Sequence, residues 1–400
     1  MIATLGAYTW LYFLPNYYSN TFGASPHVIG LIYTAWLVMI GLGAAPAGIL
    51  ADKYGRKRIV VLSGLISAIG VFMLTFSRSF LLAAIAFPIT GLGTSFLSIS
   101  NVMIAESVDP KKRGSAFGNF QALTYLLPSI SPILGGYSLS TSSTNFYLLL
   151  FVGGSLALFS TLIRALYSKE TLPHLIQKDE EQHQEIPNQT TQAFLNKPSY
   201  FQSLGRIFRN RTLLILMIVY SFYNLLIDQG SYILPLYGKN QLALSPLTLG
   251  LVFSVILFIS ALARFPFGKM SDKFGRRRTV ILSWIGESSS IFIFVFAPPG
   301  DLLIVLLGIG VWTMFGVMDG PAVNAWLADA TDIKSRGLSM GSFYSTAFLV
   351  AVPFFSVAGF LYEINAKLPF YMNSLLGVCA LVVLILLTRS KADREALEKA

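Results

Sequence analysis

Residues 45–60 read APAGILADKYGRKRIV, and residues 265–280 repeat this pattern as FPFGKMSDKFGRRRTV. A second stretch, AESVDPKKRGSAFG at 105–118, recurs as ADATDIKSRGLSMG at 328–341. The two offsets, 220 residues (265 minus 45) and 223 residues (328 minus 105), are nearly equal, and the stretches keep their order. The chain is therefore an internal duplication.

The composition argues against most classes of soluble protein. Hydrophobic residues make up 54% of the 400 residues, charged residues make up 12%, and the mean hydropathy is +0.64. A soluble domain carries about 25% charged residues, so we do not expect a cytosolic enzyme, a disordered protein or a nucleic-acid module. The single cysteine, Cys379, excludes an internal disulfide. We find no nucleotide motif, metal cluster or catalytic triad, and expect no enzyme activity, cofactor or metal.

Long apolar runs predict the fold. A helix needs about 20 mostly apolar residues to cross a bilayer. The candidate spans, numbered 1 to 12, are 2–22, 27–49, 59–77, 80–105, 115–138, 145–166, 212–237, 247–267, 279–297, 302–327, 338–362 and 368–388. The runs are continuous, whereas the strands of a membrane β-barrel alternate. We predict an all-α membrane protein with twelve transmembrane helices in two six-helix halves, related by a pseudo-two-fold axis along the membrane normal.

The basic residues predict the orientation. Of the 29 Lys and Arg residues, 25 lie in loops or tails on one side of the spans and three on the other. The positive-inside rule then puts both termini in the cytoplasm of a cell (inner) membrane, and explains the net charge of +10 without a nucleic-acid partner. The halves, 1–166 and 212–388, are joined by a cytoplasmic connector with an amphipathic helix, 167–211, and followed by a cytoplasmic tail, 389–400. Because span 1 is about two turns shorter than span 7, we also hypothesise a truncated or misassigned N-terminus.

The repeated stretches share the motif G-x-x-x-D-[RK]-x-G-[RK]-[RK], which follows spans 2 and 8. In this motif and in its spans the chain resembles the major facilitator superfamily over essentially its whole length. The resemblance implies that substrate binds between the halves, that rocking exposes it to each side in turn, and that spans 1, 4, 7 and 10 line the path. It also implies a cytoplasmic gate formed by Gly48, Asp52, Arg56, Glu106, Arg113, Gly268, Asp272, Arg276, Asp329 and Arg336. The alternative is that these charges only set the topology.

A motif in span 5 points to one branch of that superfamily. SPILGG at 131–136 is similar to the glycine–proline motif of drug–proton antiporters. The sequence departs from that branch at Ser131, where a glycine is typical, and at Phe87, where these antiporters carry an arginine.

Acidic residues inside the spans are candidates for function, because a charge at mid-membrane costs at least ~2.5 kcal/mol on insertion scales. Asp228 lies in span 7, with Asn224 one helical turn before it and Tyr232 one turn after it, so the three share a face. Asp319 in span 10 precedes a Gly-Pro pair, which we expect to loosen the helix. We interpret these residues as proton-coupling or substrate-binding groups; the alternative is a structural hydrogen bond.

Two other charges receive a mainly structural interpretation. Glu287 lies in span 9, which is peripheral in the family, and we expect it to pair within its own half, with Arg264 as one partner. We expect Arg264 near the cytoplasmic end of span 8. With no Lys or Arg at mid-membrane, an organic anion is disfavoured as substrate. The further candidates for the substrate path are polar or aromatic: Tyr8, Tyr12, Asn101, Gln121, Tyr125, Trp312 and Asn324.

The favoured function is a proton-coupled secondary transporter that exports amphipathic or cationic compounds, because an aromatic cavity with one or two acids suits lipophilic cations. The first alternative is a symporter or facilitator for a sugar or another hydrophilic metabolite. A remote alternative is a membrane sensor or scaffold that transports nothing. The expected partners are a small-molecule substrate, protons and the lipid bilayer, and we expect a monomer.

Overall fold

The computed structural model describes residues 1–95, 97–171, 230–329 and 336–387, together with positions 205, 214, 215, 217, 218, 221 and 331. Regular secondary structure in this part of the chain is helical throughout. The α-helices, numbered in chain order, are α1 (Ile2–Tyr8), α2 (Leu14–Phe22), α3 (Pro26–Tyr54), α4 (Arg56–Thr75), α5 (Phe80–Ser95), α6 (Leu97–Ser107), α7 (Arg113–Leu126), α8 (Ser131–Thr141), α9 (Asn145–Tyr167), α10 (Gly230–Asn240), α11 (Pro246–Phe274), α12 (Arg276–Val295), α13 (Leu302–Gly316), α14 (Gly320–Asp329), α15 (Arg336–Ile364) and α16 (Leu368–Leu387). Short 3-10 helices lie at Leu11–Phe13, Pro110–Lys112 and Leu127–Ile130.

Nine helices of the described part are long and apolar enough to cross a membrane, with α5–α6 and α13–α14 each taken as one. The outer surface carries large apolar side chains: Leu81 and Leu303 are each 68% exposed, and Leu375 is 64% exposed. Apolar surface of this extent suits lipid rather than water. The all-α class and the membrane-spanning helices agree with the sequence prediction.

Three predicted spans are interrupted rather than continuous. Span 1 is divided into α1 and α2 by a 3-10 turn just before Pro15, and span 5 into α7 and α8 by a 3-10 turn that contains Pro128. The gap between α13 and α14 contains Asp319 and lies directly before Gly320 and Pro321. Proline lacks an N–H donor and clashes with the preceding turn, so it interrupts helical hydrogen bonding. In span 10 this agrees with the predicted loosening of the helix.

The repeated sequences form repeated local structures. Ser25 caps α3 and Ser245 caps α11, each by accepting a hydrogen bond from the backbone N–H three residues later, and a proline follows each serine at the first helical position. Gly55 separates α3 from α4 with φ +98°, and Gly275 separates α11 from α12 with φ +89°. Only glycine adopts such backbone angles readily, which explains why both copies of the motif have a glycine at this turn.

Two antiparallel helix pairs join the first repeat (1–166) to the second (212–388). In one, α3 packs along α15; in the other, α11 packs along α7 and α8. A Cβ atom at Gly268 would lie 2.6 Å from the carbonyl oxygen of Gly114, and one at Gly359 would lie 2.6 Å from that of Pro26. We name the end of the molecule near Asp52 and Gly268 the signature end and the other end the opposite end. The repeats therefore touch at both ends.

Candidate functional site

A cavity of about 300 Å³ lies between the two repeats. Helices of both repeats contribute to its wall, among them α1, α3, α11 and α13. Most of the lining is apolar, and much of it is aromatic. The aromatic lining residues are Tyr8, Tyr12, Tyr33, Trp36, Phe87, Tyr125, Phe253 and Trp312. A concave, mostly apolar space with a few polar groups is the usual form of a small-molecule site.

The first repeat supplies a shelf of stacked tyrosines. The rings of Tyr8 and Tyr12 stack with centroids 5.4 Å apart, and Tyr12 stacks in turn on Phe253 of the second repeat at 4.1 Å. Tyr125 lies beside Tyr8, with ring centroids 6.1 Å apart. Flat rings in this arrangement offer faces on which a planar ligand can pack.

The second repeat places a cation in the wall. Arg264, on α11, lines the cavity and is only 9% exposed. Its Nε donates to Gln121 Oε1 at 3.1 Å, and its guanidinium lies over the ring of Tyr125, 4.4 Å from the centroid. The sequence analysis expects Arg264 near the cytoplasmic end of span 8, but α11 continues to Phe274, beyond the predicted end of that span, and Arg264 lines the cavity.

The second repeat also places an acid in the wall. Glu287, on α12, lines the cavity and is 3% exposed. Its Oε2 atom has no hydrogen-bond donor among the described residues. A Cβ atom at Gly316 would lie 3.2 Å from Glu287 Oε1, so the missing side chain at Gly316 makes room for the carboxyl. The expected peripheral position and pairing with Arg264 are corrected: α12 turns this face toward the cavity, and within the described ranges no ion pair joins the two.

Other polar atoms of the cavity wall also lack partners in the described part of the chain. They are the hydroxyl of Tyr33, the indole Nε1 of Trp312 and the hydroxyl of Thr313. Buried polar atoms are normally hydrogen-bonded, since leaving one unpaired costs about 1–3 kcal/mol. Water or a ligand inside the cavity would satisfy them, which supports its interpretation as a binding site.

The structure brings some of the predicted path residues to the cavity and separates others from it. Four of them line it: Tyr8, Tyr12, Tyr125 and Trp312. Gln121 does not line the cavity itself but accepts a hydrogen bond from Arg264, which does. Tyr232 is fully buried in the core and donates its hydroxyl to the carbonyl of Phe355 instead. Its predicted neighbours on the same helical face, Asp228 and Asn224, lie outside the described residues, so their roles stay predictions.

Asp319 and the two predicted asparagines lie in other surroundings. Asp319 is fully buried and accepts a hydrogen bond from Trp284 Nε1 at 2.8 Å. Asn101 of the first repeat donates to Tyr344 Oη of the second at 3.0 Å and to Asn324 Oδ1 at 3.4 Å. This amide cluster joins the repeats between the cavity and the signature end.

At the signature end, each motif aspartate binds the start of a helix from the other repeat. Asp272 accepts from the backbone N–H of Gly114 at 3.1 Å and of Ser115 at 2.8 Å, at the beginning of α7. Asp52 accepts from the N–H of Leu338 at 2.9 Å, at the beginning of α15. The N-terminus of a helix has unpaired N–H groups and a partial positive charge, so it attracts a carboxylate. The duplicated motif therefore makes two equivalent contacts between the repeats.

Ion pairs surround these contacts. Fully buried Arg56 pairs with Asp52 and with Glu106, the latter at 2.8 Å. Asp329 pairs with Arg113 of the first repeat at 2.7 Å and with Arg276 of its own repeat at 2.6 Å. We call the charged residues of this end the signature cluster: Asp52, Arg56, Glu106, Arg113, Asp272, Arg276 and Asp329. Gly48 and Gly268 are buried in α3 and α11, whereas the side chain of Arg336 lies outside the described residues.

At the opposite end the inter-repeat contacts found among the described residues are hydrogen bonds without ion pairs. Asn16 Nδ2 donates to the carbonyl of Pro235 at 3.4 Å, and Lys239 donates to the amide oxygen of Asn20. Among the described residues the one carboxylate found in such a contact is Glu363, which accepts from the backbone N–H of His27 at 3.0 Å. The signature cluster, by contrast, adds the ion pair of Arg113 with Asp329 across the repeats.

The fold is that of a membrane protein built from two similar repeats. The family model of the Major Facilitator Superfamily matches residues 1–256 and 231–400. The chain therefore belongs to the Major Facilitator Superfamily, as its motifs predicted.

Relatives within this superfamily carry different substrates. The cis,cis-muconate transport protein of Acinetobacter baylyi is 24% identical over 351 residues, which are 85% of this chain and 80% of that protein. Multidrug resistance protein MdtL of a Shewanella species is 24% identical over 383 residues, 92% of this chain and 87% of that protein. The crystal structure of the human organic anion transporter MFSD10 (TETRAN) has the same fold, with a TM-score of 0.69 at 17% identity over 96% of this chain and 97% of that one.

Sequence reasoning did not identify Arg264 and Glu287 as residues that line the cavity, although a comparison of the two repeats could have found them. At the repeat offset of 220, Arg264 corresponds to Ala44 and Glu287 to Ser67. A charge that appears inside a span in only one of two duplicated halves is not needed for the shared fold. This asymmetry marks both residues as candidates for function.

Proposed function

We propose that the protein is a secondary active transporter that moves a small organic molecule by alternating access, and that Glu287 carries the coupling proton. The observation that carries the proposal is the position of this carboxyl: it lies in the wall of a cavity between the two repeats, almost fully buried, with Oε2 unpartnered among the described residues. Ionisable groups inside membrane proteins are costly and mark ion and proton pathways.

The coupling follows from the hydration of a carboxylate. When the cavity is open to water on one side, the charged form of Glu287 is solvated. When the cavity closes, an unpaired carboxylate loses that solvation, and the neutral acid is favoured instead. Each passage through the closed state therefore carries one proton on Glu287. A substrate that changes the surroundings of Glu287 also changes the step of the cycle at which this proton is released.

The signature cluster is proposed as the gate of this cycle. Opening the signature end requires Asp52 and Asp272 each to leave a helix N-terminus of the other repeat, and Arg113 to leave Asp329. The hydrogen bonds at the opposite end then form the second gate. Two gates that never open together keep the cavity accessible from one side at a time, as alternating access needs.

We also propose the finer topology. It has twelve spans in two six-helix halves, 1–166 and 212–388, related by an axis along the membrane normal, with the connector 167–211, the tail 389–400 and both termini in the cytoplasm of a cell (inner) membrane. The nine long apolar helices and the equivalent inter-repeat pairs support it. On this topology the signature end faces the cytoplasm. We propose a monomer, because the substrate cavity is complete within one chain.

The relatives and the cavity wall support two alternatives for the direction in which the substrate moves relative to the proton. The aromatic wall and the resemblance to a multidrug resistance protein support proton-coupled export of amphipathic compounds. Arg264 in the same wall and the resemblance to a cis,cis-muconate transport protein support proton symport of an organic acid. In both cases Glu287 is the proton site.

The test uses the purified full chain in liposomes that contain a trapped pH dye. Lipophilic cations, sugars and organic acids are added separately, with and without an imposed proton gradient. We expect one class of compound to move protons through the wild-type protein, and Glu287→Gln to abolish this movement while substrate binding remains. Asp301→Asn is the matched control: it alters an acid of the same repeat that caps the start of α13 through the N–H of Ile304 and does not line the cavity, so it should leave coupling in place. Undiminished coupling in Glu287→Gln contradicts the proposal.

A further inference from the structure

Arg264 differs from the other buried arginines of the described chain in its partners. Arg56 and Arg113, the other two arginines that are buried in the described chain, each form an ion pair with a carboxylate, at distances of 2.8 and 2.7 Å. For Arg264 the described ranges provide no such carboxylate, although the residue is only 9% exposed. A buried charge is strongly disfavoured unless it is paired, so this guanidinium calls for an anion that the described chain does not supply.

The geometry holds the guanidinium ready for such an anion. Gln121 accepts from Nε at 3.1 Å, and the ring of Tyr125 covers one face of the group at 4.4 Å. The Nη1 atom makes a long contact of 3.5 Å with the carbonyl of Ser260, and Nη2 has no hydrogen-bond partner in the part of the chain that the structure describes. The terminal amino groups are thus left for the cavity, in the fork geometry that suits a carboxylate.

The rest of the wall restricts the body of the ligand. The shelf formed by Tyr8, Tyr12 and Phe253 offers flat aromatic faces, and the Nε1 of Trp312 adds a donor that has no other use among the described residues. A volume of about 300 Å³ is at the small end for ligand pockets. A second acidic group on the ligand would meet Glu287 in the same cavity.

We infer that the transported molecule is a small, planar organic monoanion, whose carboxylate binds Arg264 and whose aromatic or conjugated body stacks on the tyrosine shelf. The inference rests on the proposed function of this cavity and names its substrate class. It reverses the preference for lipophilic cations that the sequence suggested. Because Glu287 repels the anion unless it is protonated, anion and proton occupy the cavity together.

Binding to three matched probes tests the inference without transport. The probes 2-naphthoate, 2-naphthamide and 2-naphthylmethylammonium share one ring system and differ in charge. Binding to the full chain in lipid nanodiscs is measured by tryptophan fluorescence, since Trp36 and Trp312 line the cavity. We expect naphthoate to bind about 10- to 100-fold more tightly than the amide, the range for a hydrogen bond to a charged group.

Variants separate an anion site from a structural role. Arg264→Gln should remove the preference for the acid and leave amide binding unchanged, and Arg264→Lys should keep part of the preference. The control Arg78→Gln alters an exposed arginine that lies over Tyr147 outside the cavity, and should change nothing. Equal loss of all three probes in both Arg264 variants means that the residue only supports the fold, and overturns the inference.

The outcomes distinguish this inference from the proposed function. If naphthoate binds through Arg264 but Glu287→Gln leaves proton coupling intact, the substrate class stands and the proton site falls. If coupling depends on Glu287 but the ammonium probe binds most tightly, or none of the probes binds, the substrate class falls and the proton site stands.

Discussion

The two repeats are alike at the signature end and unlike in the cavity. Each repeat has a motif aspartate that binds a helix N-terminus of the other repeat. Asp52 binds the start of α15, and Asp272 binds the start of α7. In the cavity wall, by contrast, Arg264 and Glu287 both belong to the second repeat. The two repeats therefore share their contacts at the signature end and differ in the charges of the cavity wall.

The equivalent positions show how this difference arose within one packing arrangement. Glu287 lies against Gly316 in the second repeat, and Ser67 lies against Gly93 in the first. Gly93 is the repeat equivalent of Gly316 at the offset of 223 residues, and Ser67 is that of Glu287 at the offset of 220. The same helix-to-helix contact therefore holds a carboxyl in one repeat and a small hydroxyl in the other. On the proposed mechanism the gate involves both halves, whereas one charged wall is enough for the substrate and the proton.

The largest expected effect comes from giving the first repeat the charge of the second. Ser67→Glu puts a carboxyl near the middle of α4, where Gly93 packs closely and the side chain does not line the cavity between the repeats. We expect a loss of about 2.5 to 3.5 kcal/mol, the insertion cost of a charge at the middle of a helix. Thermal unfolding in detergent measures it. Ser67→Ala, the control, should be nearly neutral, and a normally stable Ser67→Glu protein would break the comparison.

The next effect concerns the duplicated contacts. Asp272→Ala removes hydrogen bonds to the N–H groups of Gly114 and Ser115 and should weaken closure of the signature end by about 1.5 to 3 kcal/mol. The population open at that end then rises about 10- to 100-fold. Alkylation of a cysteine that replaces the buried Ser271 of α11, in a Cys379→Ser background, reports the opening.

Asp109→Ala is the matched control for this experiment. Asp109 is an exposed acid at the same end, but it caps the N–H of Lys111 within its own repeat. It should leave the alkylation rate unchanged. Equal rates in both variants would mean that Asp272 does not hold the gate. Asp52→Ala should act in the same direction as Asp272→Ala, which tests the equivalence of the two repeats.

A smaller effect separates the two glycines of the equivalent contact. A Cβ atom at Gly93 would lie 2.7 Å from the backbone nitrogen of Ser67, whereas one at Gly316 would approach only the mobile end of Glu287, at 3.2 Å. Gly93→Ala should therefore cost at least about 1 kcal/mol of stability, the lower limit for overpacking, and Gly316→Ala less.

The readout for Gly316→Ala is function rather than stability. By crowding the carboxyl of Glu287, the added methyl should shift the pH dependence of transport while the unfolding temperature stays close to that of the wild type. If the pH profile shifts in Gly93→Ala and not in Gly316→Ala, the proton site lies in the first repeat, which contradicts the proposal.

Sequence reasoning reached the helices and the signature cluster but not the charged wall of the cavity. Hydropathy is enough to find a span such as α3 or α11, and a motif shared by two repeats identifies Asp52 and Asp272. The direction in which Glu287 points depends on how α12 packs against α13. Because most side chains around such a helix are apolar, no polar face reveals which side meets the cavity. For the same reason Tyr232 was predicted on the path, while the fold buries it against Phe355.

The smallest effect is expected at the opposite end. Lys239 hydrogen-bonds Asn20 across the repeats, but Asn20 is exposed and Lys239 half-buried, so water competes for both groups. Such a contact contributes less than about 1 kcal/mol. Lys239→Gln should therefore change the initial rate of substrate transport in liposomes by less than about fivefold, far less than the gating change in Asp272→Ala. A larger change would mean that the opposite end is locked as firmly as the signature end, and that the charges of the signature cluster do not set the difference between the two gates.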